Sequence, residues 1–335
     1  MNIQKNKVAV IGGGSWATAI VKMLSDNEQG KDIYWWMRNE KQVEAITKDN
    51  RNPNYLSAVE LNLNPELVST DINFVVKNAE VIILNVPAAF LKDALKGLSK
   101  KAFSNKIIVS AIKGIVPESN QIIGDFLHAK YHVPFNDIVV ISGPCHAEEV
   151  SQEKLSYITL ASQSSESAEL VASLLKTKYI KTNVSDDIYG TEYGAVLKNI
   201  YAVASGICHA VGFGDNFQAV LISNAIREMA RFVDVVHPIK RDIKESAYLG
   251  DLLVTAYSQF SRNRTFGNMI GRGYTVKSAQ LEMNMIAEGY FASHSIHQIN
   301  KEHKVDIPIC RAVYAILYEK HSPVLEMKLL AELLS

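Results

Sequence analysis

Short runs of apolar, mostly β-branched residues punctuate the first half of the chain. They fall at Val8–Ile11, Ile33–Trp36, Val81–Val86, Ile107–Ala111, Ile138–Ile141, Tyr157–Ala161 and Tyr179–Thr182. The runs are near-continuous rather than alternating, as suits strands covered on both faces. Helix-like stretches separate them, and strand–helix alternation predicts a mostly parallel, doubly wound sheet. From about Asp186 the texture changes. Gly194–Val211, Ala219–Val236, Ser278–Asn300 and Ile309–Glu319 read as helices, and no strand signal of comparable strength follows Val184. The expected fold class is α/β plus all-α, with residues 1–187 forming the sheet domain and 188–335 an all-helical one. A length of 335 residues agrees, being too long for one small core.

Charge narrows the partners. Lys+Arg and Asp+Glu both number 35, so the chain lacks the long-range field that draws proteins to nucleic acid or anionic membranes. An anion must then be held by a local cluster of donors. Cys145, Cys208 and Cys310 are odd in number and far apart, which argues against a disulfide framework or a structural metal. No uncharged apolar run approaches the ~20 residues of a membrane span, and the N-terminus has no signal-peptide pattern. The expected compartment is a reducing cytoplasm.

Gly12-Gly13-Gly14-Ser15-Trp16-Ala17 follows the first strand and precedes a helix beginning near Thr18. In that setting G-x-G-x-x-A is the dinucleotide fingerprint of a Rossmann-type sheet. The first glycine allows the tight turn, the second lets backbone approach the pyrophosphate, and the small third residue lets helix pack on strand. The pyrophosphate would sit on the free N–H groups of the helix N-terminus. The second strand ends Trp36-Met37-Arg38-Asn39, with no carboxylate until Glu40. An acidic residue there usually serves the ribose hydroxyls of NAD. Arg38 can instead pair with a 2′-phosphate or stack on adenine, which favours NADP(H) and leaves NAD(H) open. The plain alternative is a solvated loop arginine.

Asn85-Val86-Pro87, Lys113-Gly114 and Ser142-Gly143-Pro144 lie just past strand ends, where open α/β sheets bind ligands. In the helical half Lys198 interrupts an otherwise apolar helix, with Gly194, Tyr201, Ala202 and Ser205 on its face. A buried lysine amine suits a general base; a lysine snorkelling to water is the competing reading. Asp251 follows in Leu249–Thr255, and Ser261-Arg262-Asn263-Arg264 groups several donors in one turn, as a phosphate dianion needs. The spacing of His294 and His297 is ligand-like, but without a third ligand a surface helix pair is the better reading.

These motifs together resemble the bacterial-type NAD(P)-dependent glycerol-3-phosphate dehydrogenases, nearly end to end. The resemblance is carried by GGGSWATA at 12–19, NVP at 85–87, IKG at 112–114, SGPCHAEE at 142–149 and GAVLKNIYAVASGI at 194–207. It continues through GFGDN at 212–216, LGDLLVT at 249–255, SRNRTFG at 261–267 and AEGY at 287–290. It implies reduction of dihydroxyacetone phosphate to sn-glycerol 3-phosphate by NAD(P)H, supplying glycerophospholipid synthesis, in a homodimer. By the same resemblance Lys198 is the proton acceptor on the C2 hydroxyl, and Lys113 touches nicotinamide ribose and substrate. Asp251, Ser261, Arg262 and Asn263 match the substrate set, with Arg262 reaching the cofactor as well. Gly12, Gly14, Ser15, Trp16, Arg38, Ala147, Ile286 and Glu288 match cofactor positions, and Gly143 and Cys145 match substrate-side contacts. Three positions depart from the pattern: Cys145 stands where Ser or Thr is usual, Ala17 for glycine, and Ala111 for threonine. A thiol donates more weakly than a hydroxyl. Two other readings stay open: a related dehydrogenase of the same architecture acting on another hydroxy acid or a pantoate-like substrate, and a non-catalytic dinucleotide sensor.

Overall fold

The computed structural model describes residues 6–27, 31–283 and 287–335. The chain divides into two compact units, one of residues 1–112 and 123–188, the other of residues 113–122 and 189–335. The first unit contains β1 (Asn6–Ile11), α1 (Ser15–Asp26), β2 (Lys31–Trp36), α2 (Glu40–Asp49), β3 (Val68–Ser69), α3 (Ile72–Asn78), β4 (Val81–Leu84), α4 (Leu91–Ala94) and β5 (Ile107–Ser110). The excursion into the second unit is a hairpin, β6 (Ile115–Val116) and β7 (Gln121–Ile122). The first unit then resumes with α5 (Ile123–Tyr131), β8 (Ile138–Ser142), α6 (Ala147–Ser151), β9 (Ser156–Ala161), α7 (Ser165–Leu175) and β10 (Ile180–Ser185).

Eight strands form one sheet in the order β10-β9-β8-β5-β4-β1-β2-β3, parallel except where β8 meets β9. The sequence runs find their strands, and those within β1, β4 and β8 are apolar throughout for the stated reason; at the sheet edge β10 buries Ile180 while Lys181, Asn183 and Val184 are exposed. Val8–Ile11 and Val81–Leu84 are entirely buried, because helices cover both faces of the sheet. The two-residue β3, β6 and β7 carry no such run, being too short for a hydrophobic pattern to register.

The second unit is built around α8 (Ile188–Ala210) and α9 (Asp215–Val236), followed by α10 (Asp251–Tyr257), α11 (Arg262–Gly271), α12 (Val276–Glu282), α13 (Glu288–His303), α14 (Pro308–Tyr318) and α15 (Pro323–Leu333). Ile115 and Ile122 of the hairpin join its core, which explains why residues 113–122 cluster with these helices. The single helix expected over Ser278–Asn300 is instead two, α12 and α13, with Met283 and Ala287 extended. The break frees the start of α13 to pack on α8. A Cβ on Gly289 would stand 2.6 Å from the Asn199 carbonyl oxygen, and one on Gly267 would collide with that of Val203. Only glycine allows these close helix crossings.

One buried carboxylate ties the unit together. Glu228 of α9 is fully enclosed, and its two oxygens accept from the N–H groups of Ile309 (2.8 Å) and Cys310 (3.0 Å) at the start of α14. Burial pushes its carboxyl up to about 7 against the lowering pull of those N–H groups; Tyr201, Cys310 and Arg231 are the other ionisable groups around it. A folded-state value above the unfolded one of 4.5 makes Glu228 contribute most below that value. The contribution is lost as pH rises through about 7. Glu228→Gln should therefore flatten the pH dependence of unfolding. Between pH 5 and about 8 the wild-type melting temperature should fall relative to that of the variant, and parallel profiles would remove Glu228 as the cause.

Candidate functional site

Within the sheet unit, Gly12 closes β1 and turns the chain into α1. Its N–H donates to Trp36 O at 2.9 Å, its φ is +133°, and a Cβ there would collide with the Asn85 carbonyl oxygen. Gly14 is the N-cap of α1, and its would-be Cβ meets nothing within 4 Å. Ser15 and Trp16 form the first turn, with no acidic residue in it to compete for an anion. Two side-chain atoms around this turn, Trp16 Nε1 and Asn85 Nδ2, are buried without a hydrogen-bond partner. Open backbone at a helix N-terminus beside unpaired donors fits a pyrophosphate.

The remaining sheet-unit candidates lie at strand ends. Arg38 is exposed just past β2. Gly143 follows β8 with φ +115°. Cys145 is buried, its thiol directed at Gly143 O (3.4 Å), so the weak donor is turned onto local backbone. Ala147 starts α6 and is buried.

The helical unit brings the charged candidates together. Asp251 opens α10 straight after a π-helical turn, Ser246–Gly250, and is 1% exposed. Its Oδ2 accepts from Lys113 Nζ at 3.0 Å, and its Oδ1 accepts a short hydrogen bond from Lys198 Nζ. Lys198 also donates to Thr255 Oγ1 (3.0 Å), and Thr255 in turn donates to Asp251 O (2.6 Å). Lys198 is 4% exposed, which excludes the snorkelling reading. Burial by itself would push the Asp251 carboxyl up, but the facing Lys113 and Lys198 ammonium groups outweigh it and hold it below its usual value. Two cations thus share one anion in a nearly dry setting, and each is held at a fixed place.

A carboxamide relay extends the cluster. Asn199 Nδ2 donates to Lys113 O (2.9 Å), Asn263 Nδ2 donates to Asn199 Oδ1 (2.9 Å), and Gly289 N donates to Asn263 Oδ1 (2.9 Å). It links the hairpin, α8, α11 and α13, and the glycine crossings described above make its short distances attainable. Ser261 caps α11 by accepting from Arg264 N (3.3 Å), which presents the adjacent Arg262 to solvent. Glu288 begins α13, whereas Ile286 lies outside the described residues.

Sequence reasoning missed Asn199 and Thr255. Thr255 stands four residues after Asp251 on the same helix face, a spacing that carries a usable signal. Asn199 had only its adjacency to Lys198. Ser205, expected beside the amine, instead donates to Gln218 Oε1 (2.9 Å) and Ala256 O (3.1 Å). Tyr201, on the same expected face, lies by Glu228 and Cys310. His297 stacks on Tyr314, ring centroids 3.7 Å apart.

Sequence profiles of the NAD-dependent glycerol-3-phosphate dehydrogenase N-terminus and C-terminus match residues 7–168 and 187–328. A glycerol-3-phosphate dehydrogenase [NAD(P)+] of Oceanobacillus iheyensis is 33% identical over 318 residues, 95% of this chain and 91% of that protein. The crystal structure of glycerol-3-phosphate dehydrogenase from Coxiella burnetii superposes with a TM-score of 0.90 at 26% identity, covering 98% of this chain and 99% of that one. D-mandelate dehydrogenase with NADH superposes less closely, with a TM-score of 0.62 at 16% identity over 94% of this chain and 98% of that one, a likeness of fold alone.

Proposed function

Because the chain belongs to the NAD-dependent glycerol-3-phosphate dehydrogenase family, we propose that it reduces dihydroxyacetone phosphate to sn-glycerol 3-phosphate with NAD(P)H, reversibly, using Lys198, Asp251 and Lys113. The observation that carries the site assignment is the buried Asp251 carboxylate shared by two ammonium groups. Pure dinucleotide binding has no need of it.

The glycine turn Gly12–Gly14 with Ser15 and Trp16 would hold the pyrophosphate, and Arg38, exposed past β2, would take a 2′-phosphate, which favours NADPH over NADH. Ala147, Arg262, Ile286 and Glu288 complete the cofactor set. When bound, the nicotinamide supplies the hydride for the C2 carbonyl. Lys198, as ammonium, donates a proton to the developing C2 alkoxide and, neutral, takes it back in the reverse direction. Thr255 and Asp251 fix the direction of that amine. Lys113 offers a second positive charge to the oxygen, preorganised by the same carboxylate. Asn263 has spent one Nδ2 hydrogen on Asn199 and its Oδ1 on Gly289 N, leaving one N–H for the substrate phosphate. Arg262 and Ser261 complete that clamp and place the carbonyl. Gly143 and Cys145 contribute on the substrate side, the thiol less strongly than a hydroxyl.

Loss of NADPH absorbance on adding dihydroxyacetone phosphate tests the reading, with NADH run alongside to rank the cofactors. Dinucleotide binding without turnover would overturn it. Arg262→Ala should raise the KM for dihydroxyacetone phosphate at least about tenfold, as loss of a charge-assisted contact predicts, with a smaller change in kcat. A defect confined to dinucleotide affinity would place Arg262 outside the phosphate clamp.

We assign residues 1–187, apart from the 113–122 excursion that carries Lys113, to dinucleotide binding, and that excursion with 188–335 to substrate and catalysis, in a cytoplasmic homodimer. Support for the compartment comes from Cys145, Cys208 and Cys310, all buried and none in a disulfide among the described residues. The exposed leucines Leu325, Leu329 and Leu333 on α15 are apolar surface of the kind association covers. Among the described residues no helix is long and apolar enough to cross a membrane.

A further inference from the structure

Three consecutive glycines permit the phosphate turn, but they do not choose its orientation. Without Cβ atoms, the peptides of Gly12–Gly14 can face either their N–H or their C=O outward. A carbonyl facing a pyrophosphate repels it, and an N–H binds it. Something else must select the receptive state.

In this structure every carbonyl of the turn is held from behind. Trp35 Nε1 donates to Gly12 O at 2.6 Å. Gln42 Nε2 and Asn52 Nδ2 both donate to Gly13 O, at 2.8 and 3.1 Å. Thr18 donates to Gly14 O through its N–H and its Oγ1, both at 3.0 Å. The donors also brace one another. Asn52 Nδ2 reaches Thr18 Oγ1 (2.8 Å), while Asn52 Oδ1 accepts from Gln42 Nε2 (3.0 Å) and Asn54 N (3.2 Å). Both hydrogens of each carboxamide are thereby used, and Asn52 is 0% exposed. In a trans peptide the N–H points opposite to the C=O, so fixing Gly13 O inward turns the Gly14 N–H outward, onto the open side of the turn.

We infer that Gln42 and Asn52 are positioning residues for the dinucleotide: by clamping Gly13 O they hold the glycine turn with its N–H groups facing the pyrophosphate. This rests on the reading of the turn as the dinucleotide site. Neither residue lies in the glycine fingerprint. Gln42 comes from α2 and Asn52 from the segment after it, and both act through Gly13 without touching the cofactor. A clamp of this kind acts on affinity for the dinucleotide and leaves the Lys198 cluster alone.

The test uses the full chain with Asn52→Ala and, because Asn52 is buried, the milder Gln42→Met. NADPH dissociation constants are measured by fluorescence titration, with kcat, both KM values and melting temperatures recorded alongside. Each variant that melts cooperatively should bind NADPH roughly 10- to 100-fold more weakly, the scale of a lost charge-assisted contact. The KM for NADPH should rise in parallel, while the KM for dihydroxyacetone phosphate and kcat at saturation change much less. Unchanged NADPH affinity in a folded Gln42→Met protein would overturn the inference. So would equal losses in kcat and both KM values, since those indicate general loosening. Wild-type protein that turns over dihydroxyacetone phosphate but whose Gly14→Asp variant still binds NADPH would refute the turn as the dinucleotide site, a different failure.

Discussion

Lys198→Ala should lower kcat for dihydroxyacetone phosphate reduction by about 10²- to 10⁴-fold, the range of a lost general acid–base group. NADPH affinity should stay near the wild-type value. The expectation follows from where the amine is held. Lys198 is almost fully enclosed and bonded to both Asp251 and Thr255, so its place is set by α8 and α10 together. No water replaces a proton donor so placed without losing that orientation. Removing Lys198 also leaves Asp251 paired with Lys113, so the fold retains a neutralised carboxylate. The loss should therefore appear in turnover more than in stability. Steady-state kinetics with equilibrium NADPH binding measure the two separately. A variant with wild-type kcat would remove Lys198 as proton donor and leave Lys113 as the candidate.

Asp251→Asn should harm both activity and folding. The amide is nearly isosteric, but it removes the carboxylate that two ammonium groups share. Its Oδ1 can accept from one of them, while its NH₂ confronts the other. The side chains of Lys113 and Lys198 are 20% and 5% exposed, so the Lys198 charge in particular has little water to turn to. Breaking a buried pair by removing one partner typically costs about 3–5 kcal/mol. Partial exposure of Lys113 reduces its share of that cost. The wild-type carboxyl is held below its usual value. Its stabilising contribution is therefore present above the unfolded value of 3.8 and lost as pH falls through the folded one. Urea unfolding should show a lower midpoint for Asp251→Asn at pH 7, with the gap closing in acid. Equal midpoints at pH 7 would mean that the two lysines do not depend on this carboxylate.

The two effects differ because the three residues are not equivalent. Lys198 is one of two cations on a shared anion, so its loss leaves a balanced pair. Asp251 is the shared partner, so its loss leaves two like charges.

Much of this site is legible in the sequence. Lys198, Asp251, Lys113 and Asn263 stand in their motifs, and a charged residue within an apolar helix announces itself by its type. Thr255 was half-legible through its spacing from Asp251. Asn199 was not, because a carboxamide next to a lysine says nothing until its partners are known. Its partners, Lys113 O and Asn263, lie 86 and 64 positions away in the chain. Gln42 and Asn52 were invisible for the same reason, since their value lies in reaching Gly13 O across 29 and 39 positions. The split of the helix expected over Ser278–Asn300 was hidden because α12 and α13 are both helical in pattern, and the break serves a contact with α8.

The sequence by itself determined the parallel strands, the helical second half, the glycine turn after β1 and the identity of the charged residues. Hydrophobic burial and glycine's freedom act locally, so they leave their mark on neighbouring positions in the chain. Tertiary structure alone decided the antiparallel entry of β9, the assignment of residues 113–122 to the helical unit, and which lysines share Asp251. It also decided which side chains hold the glycine carbonyls inward. Those are matters of long-range pairing, in which a hydrogen bond or an ion pair is satisfied by whatever group the fold delivers, and local pattern carries no record of it.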